Sequence, residues 1–296
     1  MRTLIPLLLV LLLLGCGSEP PPPVGAEPEA TTTPLLLAIH PYDTPRLLVA
    51  RFQPIADYLS DQLGQPVELL VTATYEEQIR GIVEGRFDLA YMGPTPYTRA
   101  HDRYQAGLPP EQRISLVVGE VACLSAILVR TDSEIETLDD LRGRTFAFGD
   151  HISFGSHYMP RAMLLRRGID LADLMDYSFL ERHERIPQAV LRGDYDAGGV
   201  RRRVAHEMLA DHPELRILAT SPELPPYALV ARVGLDPLLI EEIRQALIAP
   251  DPLGAGAITL IGQNVRFRVV EDHDYDFARQ VVEALERSCH CEALPW

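Results

Sequence analysis

The chain has 296 residues, 47% of them hydrophobic, and a formal net charge of −15 at pH 7. That length supports one large or two medium domains with a sizeable core, and the apolar content excludes disorder beyond the N-terminal stretch. The acidic balance, with no basic stripe interleaved with aromatics, excludes nucleic acid as a partner, so any anionic ligand must be held by local donors against the overall field. All 27 basic side chains are arginine, which reads as codon bias rather than chemistry.

The first segment sets the compartment. Met1-Arg2-Thr3 is a short positive region, residues 4–14 are apolar but too few to span a bilayer, and Leu13-Leu14-Gly15-Cys16 follows directly. This is the spacing of a bacterial lipobox. Residues 1–16 are therefore read as a lipoprotein signal peptide with Cys16 as the lipidation site, which places the protein in the cell envelope or periplasm, anchored to a membrane. Residues 17–34, rich in Pro, Glu and Thr, read as a flexible tether. Cys123, Cys289 and Cys291 remain, an odd number that permits at most one disulfide. Cys289-His290-Cys291 lacks a second matched ligand pair and reads as a terminal disulfide or free thiols before a metal, so no metal site is assigned. No glycine-rich nucleotide fingerprint or phosphate loop is present, and no cofactor is expected.

From Leu35 the pattern alternates. Residues 35–39 read as a buried strand leading into His40-Pro41-Tyr42, residues 45–63 as an amphipathic helix stopped by Gly64, residues 67–71 as a strand, 75–84 as a helix ended by Gly85, and 87–92 as a third strand. Gly93-Pro94-Thr95-Pro96-Tyr97 then reads as an interruption before a helix near Thr98. Residues 114–130 form a long extended stretch broken at Gly119-Glu120, and residues 222–232 form another. Between them the alternation repeats, with strands at 177–180, 197–200 and 215–219 and helices at 186–191 and 204–209. Helices near 237–248 and 275–285 close the chain.

This organisation predicts an α/β protein of two hinged lobes, each a mostly parallel sheet flanked by helices, joined by two extended crossings. Residues 35–121 and 222–296 are expected in lobe 1 and residues 122–221 in lobe 2. Ligands in open α/β sheets sit at the carboxyl ends of strands, so His40 to Tyr42, Gly93 to Tyr97 and Gly149 to His157 should face the cleft between the lobes. The central stretch is TFAFGDHISFGSHYMPRAMLLRR, residues 145–167. A strand ending in Gly149-Asp150, small polar residues Ser153, Gly155 and Ser156, and a helical pattern beyond them predict free backbone N–H groups and hydroxyls suited to an anion, or simply a helix capped by Ser153.

At this point the residues resemble a known family, the substrate-binding lipoproteins of ATP-driven importers for phosphonate, phosphite and phosphate. The resemblance runs from about Leu35 to Leu285 and rests on FDLAYMGPTPY (residues 87–97), LDDLRGRTFAFGD (138–150), His183 with AVLRGDYDAG (189–198), PPYALVAR (225–232) and VVEDHDYDFARQVVEAL (269–285). It implies the periplasmic binding protein fold of type 2. It also implies an extracytoplasmic solute-binding protein, monomeric and not an enzyme, that captures a small oxyanion and delivers it to an ABC permease. Oxyanion ligands are implied at Ser153, Phe154, Gly155, Ser156 and His157 of the turn, at His183, and at Tyr42, Thr95 and Tyr97 of the strand loops. The family's Ser-Thr-Ser triplet is here Ser153-Phe154-Gly155, and its acidic residue after the DAG strand is here Arg201, a change that favours a second negative charge over an aminoalkyl tail. Two other readings stand beside this one: a ligand-presenting subunit for an envelope sensor kinase, and a hydrolase built on Ser153 or Ser156 with His151, His157 or His183. The absence of a GxSxG elbow argues against the hydrolase.

Overall fold

Strand β1 (Leu35–Ile39) has the sequence LLLAI and can be apolar throughout because both its faces are covered. Thr44 starts α1 (Pro45–Leu63) by accepting from the Leu47 N–H, Pro45 occupies the first turn where no N–H is needed, and Gly64 ends the helix at φ 59°. Its buried face carries Leu48, Phe52, Ile55 and Leu59, each contributing about 1.5–3 kcal/mol by leaving water. Next come β2 (Val67–Val71), α2 (Tyr75–Val83), capped by Thr74, and β3 (Leu89–Met92). The GPTPY segment is not an interruption: α3 (Pro94–Thr98) begins at Pro94, where a missing N–H is harmless, and runs on into a π-type turn, Arg99–Tyr104. Strand β4 (Ser115–Glu120) follows.

The chain leaves the first sheet after Glu120 and starts the second with β5 (Ser125–Arg130). There follow β6 (Thr145–Phe148), α4 (Met159–Leu165), β7 (Asp176–Phe179), α5 (Arg185–Arg192), β8 (Ala197–Arg201), α6 (Arg202–Asp211) and β9 (Leu215–Thr220). Strand β10 (Ala228–Ala231) returns to the first sheet, and α7 (Pro237–Ile248), α8 (Pro252–Ile261), β11 (Phe267–Arg268) and α9 (Asp276–Ser288) complete the fold. This computed structural model describes residues 33–121, 123–262 and 265–288; the lipobox with Cys16, most of the tether and the Cys289-His290-Cys291 triplet lie outside them.

The first sheet has the order β11-β4-β10-β3-β1-β2 and the second β7-β6-β8-β5-β9. The two-lobed α/β architecture is as the alternation predicts, but the sheets are mixed rather than mostly parallel. Strand β1 is parallel to β2 and β3, and β6 to β7 and β8, whereas β10 is antiparallel to β3 and β4, and β5 is antiparallel to β8 and β9. Strands reached through helical crossovers must run parallel, while a crossing strand such as β5 starts where β8 ends, with Ser125 opposite Arg201. The carboxyl ends of β1, β3, β6 and β8 are thereby directed at the junction of the two sheets. Helix α9 packs on α3 and also reaches α4 and the turn before it, so it touches elements of both lobes.

Candidate binding site

The loop after β6 is shaped by Gly149, where a Cβ would overlap the hydroxyl of Ser156. Residues 154–158 form a π-type turn whose start is capped by Ser153, which accepts from the Ser156 N–H at 3.3 Å. Ser156 Oγ donates to Ser153 Oγ at 2.7 Å, and Ser153 Oγ lies 3.2 Å from His183 Nε2. Three residues that the sequence singles out therefore converge, fully buried, at one point. Part of the expected cradle of backbone amides is used within the turn itself. The N–H groups of Ser156, His157 and Tyr158 all bond Ser153, and α4, at seven residues, is too short to present a full macrodipole. The Ser153 and Ser156 hydroxyls therefore add to whatever amides the turn leaves free.

Opposite this loop stands the end of β1. Tyr42 packs its ring 5.7 Å from that of His183, and His40 lies 5.3 Å from Tyr42, 4.3 Å from Tyr75 and 6.0 Å from Tyr227. Tyr75 also neighbours Asp150 and Ser153 across the junction. The Tyr42 and Tyr75 hydroxyls, Thr95 Oγ1, His40 Nε2, His183 Nδ1 and one guanidinium nitrogen of Arg201 are all buried without a hydrogen-bond partner. Buried polar atoms are rarely left so, and the neighbouring ones around Ser153 and His183, called the chamber below, offer a ligand hydrogen-bonding partners. Of the residues the sequence singles out, Tyr42, Ser153, Ser156, His183 and Arg201 come together here, beside Tyr75 and Tyr227, whose only sequence signals are an aromatic opening a helix and one inside the PPYALVAR block.

The electrostatics of the chamber oppose those of the whole chain. Burial holds His183 well below its ordinary pKa, and the charges of Arg201, His40, Arg203 and Arg51 push the same way. Burial lowers His40 to about 3, with Arg201 adding to the effect, and the ring donates Nδ1–H to the Tyr91 carbonyl at 3.2 Å, leaving Nε2 as an acceptor. Burial also raises Tyr75 well above its usual range, so its hydroxyl stays a donor. The result is a positive local field around neutral imidazoles and protonated phenols inside an acidic protein, which suits an anion.

The remaining predicted residues are placed differently. Arg201 does not stand free: it pairs with Glu120 at 2.8 Å, lies 3.8 Å from the Tyr227 ring centroid, and runs its stem past Gly155. Glu120 also accepts from Tyr91 and from the Cys123 thiol. Burial pushes its pKa up, and Arg201, Arg203 and those donors outweigh that and hold it below the usual value. Phe154 is buried and meets Phe277 of α9 edge-on. His157 bonds the His151 carbonyl at 2.7 Å and packs among Phe148, Tyr158 and Phe179, as a core histidine does. Tyr97 donates to Asp272 at 2.8 Å and packs on Tyr275, outside the Ser153 and His183 group. His101, Asp102 and Asp272 lie close enough together to hold a cation, but Arg279 already bonds both carboxylates.

Two mixed sheets, two extended crossings and a donor-lined chamber at the strand ends define the type 2 periplasmic binding protein architecture. The chain belongs to the family of periplasmic substrate-binding proteins of phosphonate ABC transporters, whose model matches residues 37–275. It is 28% identical over 210 residues to the phosphate-import protein PhnD of Mycolicibacterium smegmatis, covering 68% of this chain and 64% of that one, just under two thirds of the relative's length. Among solved structures it resembles PhnD1 from Prochlorococcus marinus in complex with methylphosphonate, with a TM-score of 0.77 at 20% identity over 86% of this chain and 98% of the other. It also resembles a binding protein component of the phosphonate ABC transporter of Pseudomonas aeruginosa, with a TM-score of 0.75 at 19% identity over 86% and 87% of the two chains. No helix among the described residues is long and apolar enough to cross a membrane.

Proposed function

We propose that this protein captures a small oxyanion of the phosphonate, phosphite or phosphate class between its two lobes and presents it, chemically unchanged, to an ABC permease. One observation carries the reading: buried polar atoms without partners, on Tyr42, Tyr75 and His183, lie around Ser153 and Ser156 in a field set by Arg201, Arg203 and Arg51. The import role of the mycobacterial relative and the methylphosphonate held by the cyanobacterial one support the same class. Hydrolysis is disfavoured although Ser153 and His183 are 3.2 Å apart, because an imidazole kept neutral by burial and by flanking cations is a weak base. Lipidation at Cys16 with a tether of residues 17–34 is part of the proposal and holds the protein at the envelope membrane where the permease sits.

Titration calorimetry with methylphosphonate, phosphite and phosphate tests the binding. A sub-millimolar Kd for at least one of them is expected, and heat from none of them removes the oxyanion reading. Fractionation of cells expressing a Cys16→Ser variant tests the anchor, with the protein expected to leave the membrane fraction.

A further inference from the structure

Beside the chamber lies a groove of about 710 Å³ between α1, α6, α8 and Glu120, Val121, Cys123 and Leu124 of the first crossing. That volume is in the range of sites for organic molecules of many atoms and far exceeds what one tetrahedral oxyanion occupies. Arg203 lines it, and all three of its guanidinium nitrogens are buried with no hydrogen-bond acceptor. Its stem and one nitrogen pass Gly262 so closely that a Cβ there would come within 2.8 and 2.9 Å of them; Gly262 has extended backbone, so room and not conformation is what glycine provides. Arg201 connects the two spaces. Its stem passes Gly155 of the turn, its head lines the groove, and one of its nitrogens has no partner.

The charges lining the groove are not balanced. Four arginines, Arg51, Arg201, Arg202 and Arg203, face two glutamates, and both glutamates are already engaged, Glu120 by Arg201 and Glu207 by Arg51. A buried guanidinium without an acceptor is costly to the folded state, and no carboxylate is left in the groove to receive a ligand ammonium. Resting on the oxyanion reading above, we propose that the ligand is an organophosphonate or organophosphate carrying a second anionic group, and that Arg203 receives this group in the groove while the phosphorus oxyanion occupies the chamber of Ser153, Ser156 and His183. Arg203 is then a determinant of specificity. It selects against unsubstituted phosphate and against aminoalkyl phosphonates, which bring respectively nothing and the wrong charge.

The test is competition calorimetry on the full chain with methylphosphonate, 2-aminoethylphosphonate, phosphonoacetate and 3-phosphonopropionate. The wild type should bind at least one of the two carboxylates tenfold or more tighter than methylphosphonate, roughly what a charge-assisted contact contributes, and 2-aminoethylphosphonate weakest. Arg203→Gln should reduce that preference by about tenfold, and Arg203→Lys should keep part of it. Should Arg203→Gln fail to fold, the wild-type ranking still decides. Equal or tighter binding of methylphosphonate than of either carboxylate, or a preference unchanged in a folded Arg203→Gln variant, overturns this inference alone. Binding of none of the four overturns the oxyanion reading together with it.

Discussion

The backbone N–H of His183 donates to the carbonyl oxygen of Tyr42 at 2.8 Å, so the loop before α5 in the second lobe is hydrogen-bonded to the loop after β1 in the first. Their side chains are both fully buried, with ring centroids 5.7 Å apart. This contact ties the two loops together at the place where the donors meet, beside the pairing of Arg201 with Glu120 and of Arg51 with Glu207. An altered lobe angle changes this contact and the spacing of the donor set together.

Loss of one hydroxyl from the chamber should show in affinity more than in folding. Ser156→Ala removes the donor to Ser153 at 2.7 Å and with it the orientation of the Ser153 hydroxyl beside His183. Binding of methylphosphonate or phosphate should weaken by about 1.5–3 kcal/mol, or roughly 10- to 100-fold, in calorimetry. Unchanged affinity would move the ligand away from the π-type turn.

Gly149→Ala should act through sterics. The added methyl overlaps Ser156 Oγ and sits 3.5 Å from His183 Cδ2, so the turn must shift. A loss of about 1–3 kcal/mol in urea unfolding is expected, with binding impaired in parallel.

Stability should fall in mild acid. Burial lowers His40 and His157 to about 3 each and holds His183 well below 6.5, so at pH values between about 3 and 6.5 the unfolded chain binds protons that the folded one refuses. Stability is therefore at its full value above pH 6.5 and declines as pH falls, by about 1.4 kcal/mol per pH unit for each such histidine. Urea midpoints at pH 7.5 and 5.5 measure this, and His40→Gln should flatten the difference. Equal midpoints would mean that these imidazoles are solvated.

The Glu120 and Arg201 pair should be costly to break and cheap to replace. Both side chains are buried, so Glu120→Gln leaves Arg201 uncompensated and should cost about 3–5 kcal/mol. Glu120→Leu combined with Arg201→Met should cost clearly less than either change alone. Denaturant unfolding of the single and double variants gives the coupling, and additive effects would show that the two do not act as a pair.

Much of the fold was legible because the punctuation is local. Thr44, Pro45 and Gly64 delimit α1 as the sequence predicts, and the β1 to β3 alternation follows from apolar runs separated by caps. The GPTPY segment was misread because two prolines suggest a break, although Pro94 at a first turn begins a helix. Helix α8 was not predicted; its Gly254 and Gly256 weaken the helical pattern, and tertiary packing against α1 sustains it. In the site, Ser153, Ser156 and His183 could be named from motifs. The pairing of Arg201 with Glu120 could not, since 81 positions separate them and only the antiparallel return of β8 beside β5 brings them together. Arg201-Arg202-Arg203 reads from the sequence either as a solvated surface run or as a run with one arginine turned inward, whereas both Arg201 and Arg203 bury their guanidinium groups.

Arg51 of α1 joins Asp43 at 3.0 Å and Glu207 of α6 at 2.9 Å, at the rim of the groove. The Asp43 side of this clasp is dry and the Glu207 side is wet, with the Glu207 side chain 45% accessible, so dissolved ions weaken one half and spare the other. In brackish surroundings the rim loosens while the donors beneath it keep their strength. Salinity should therefore govern how quickly cargo is exchanged more than how firmly it is held at equilibrium.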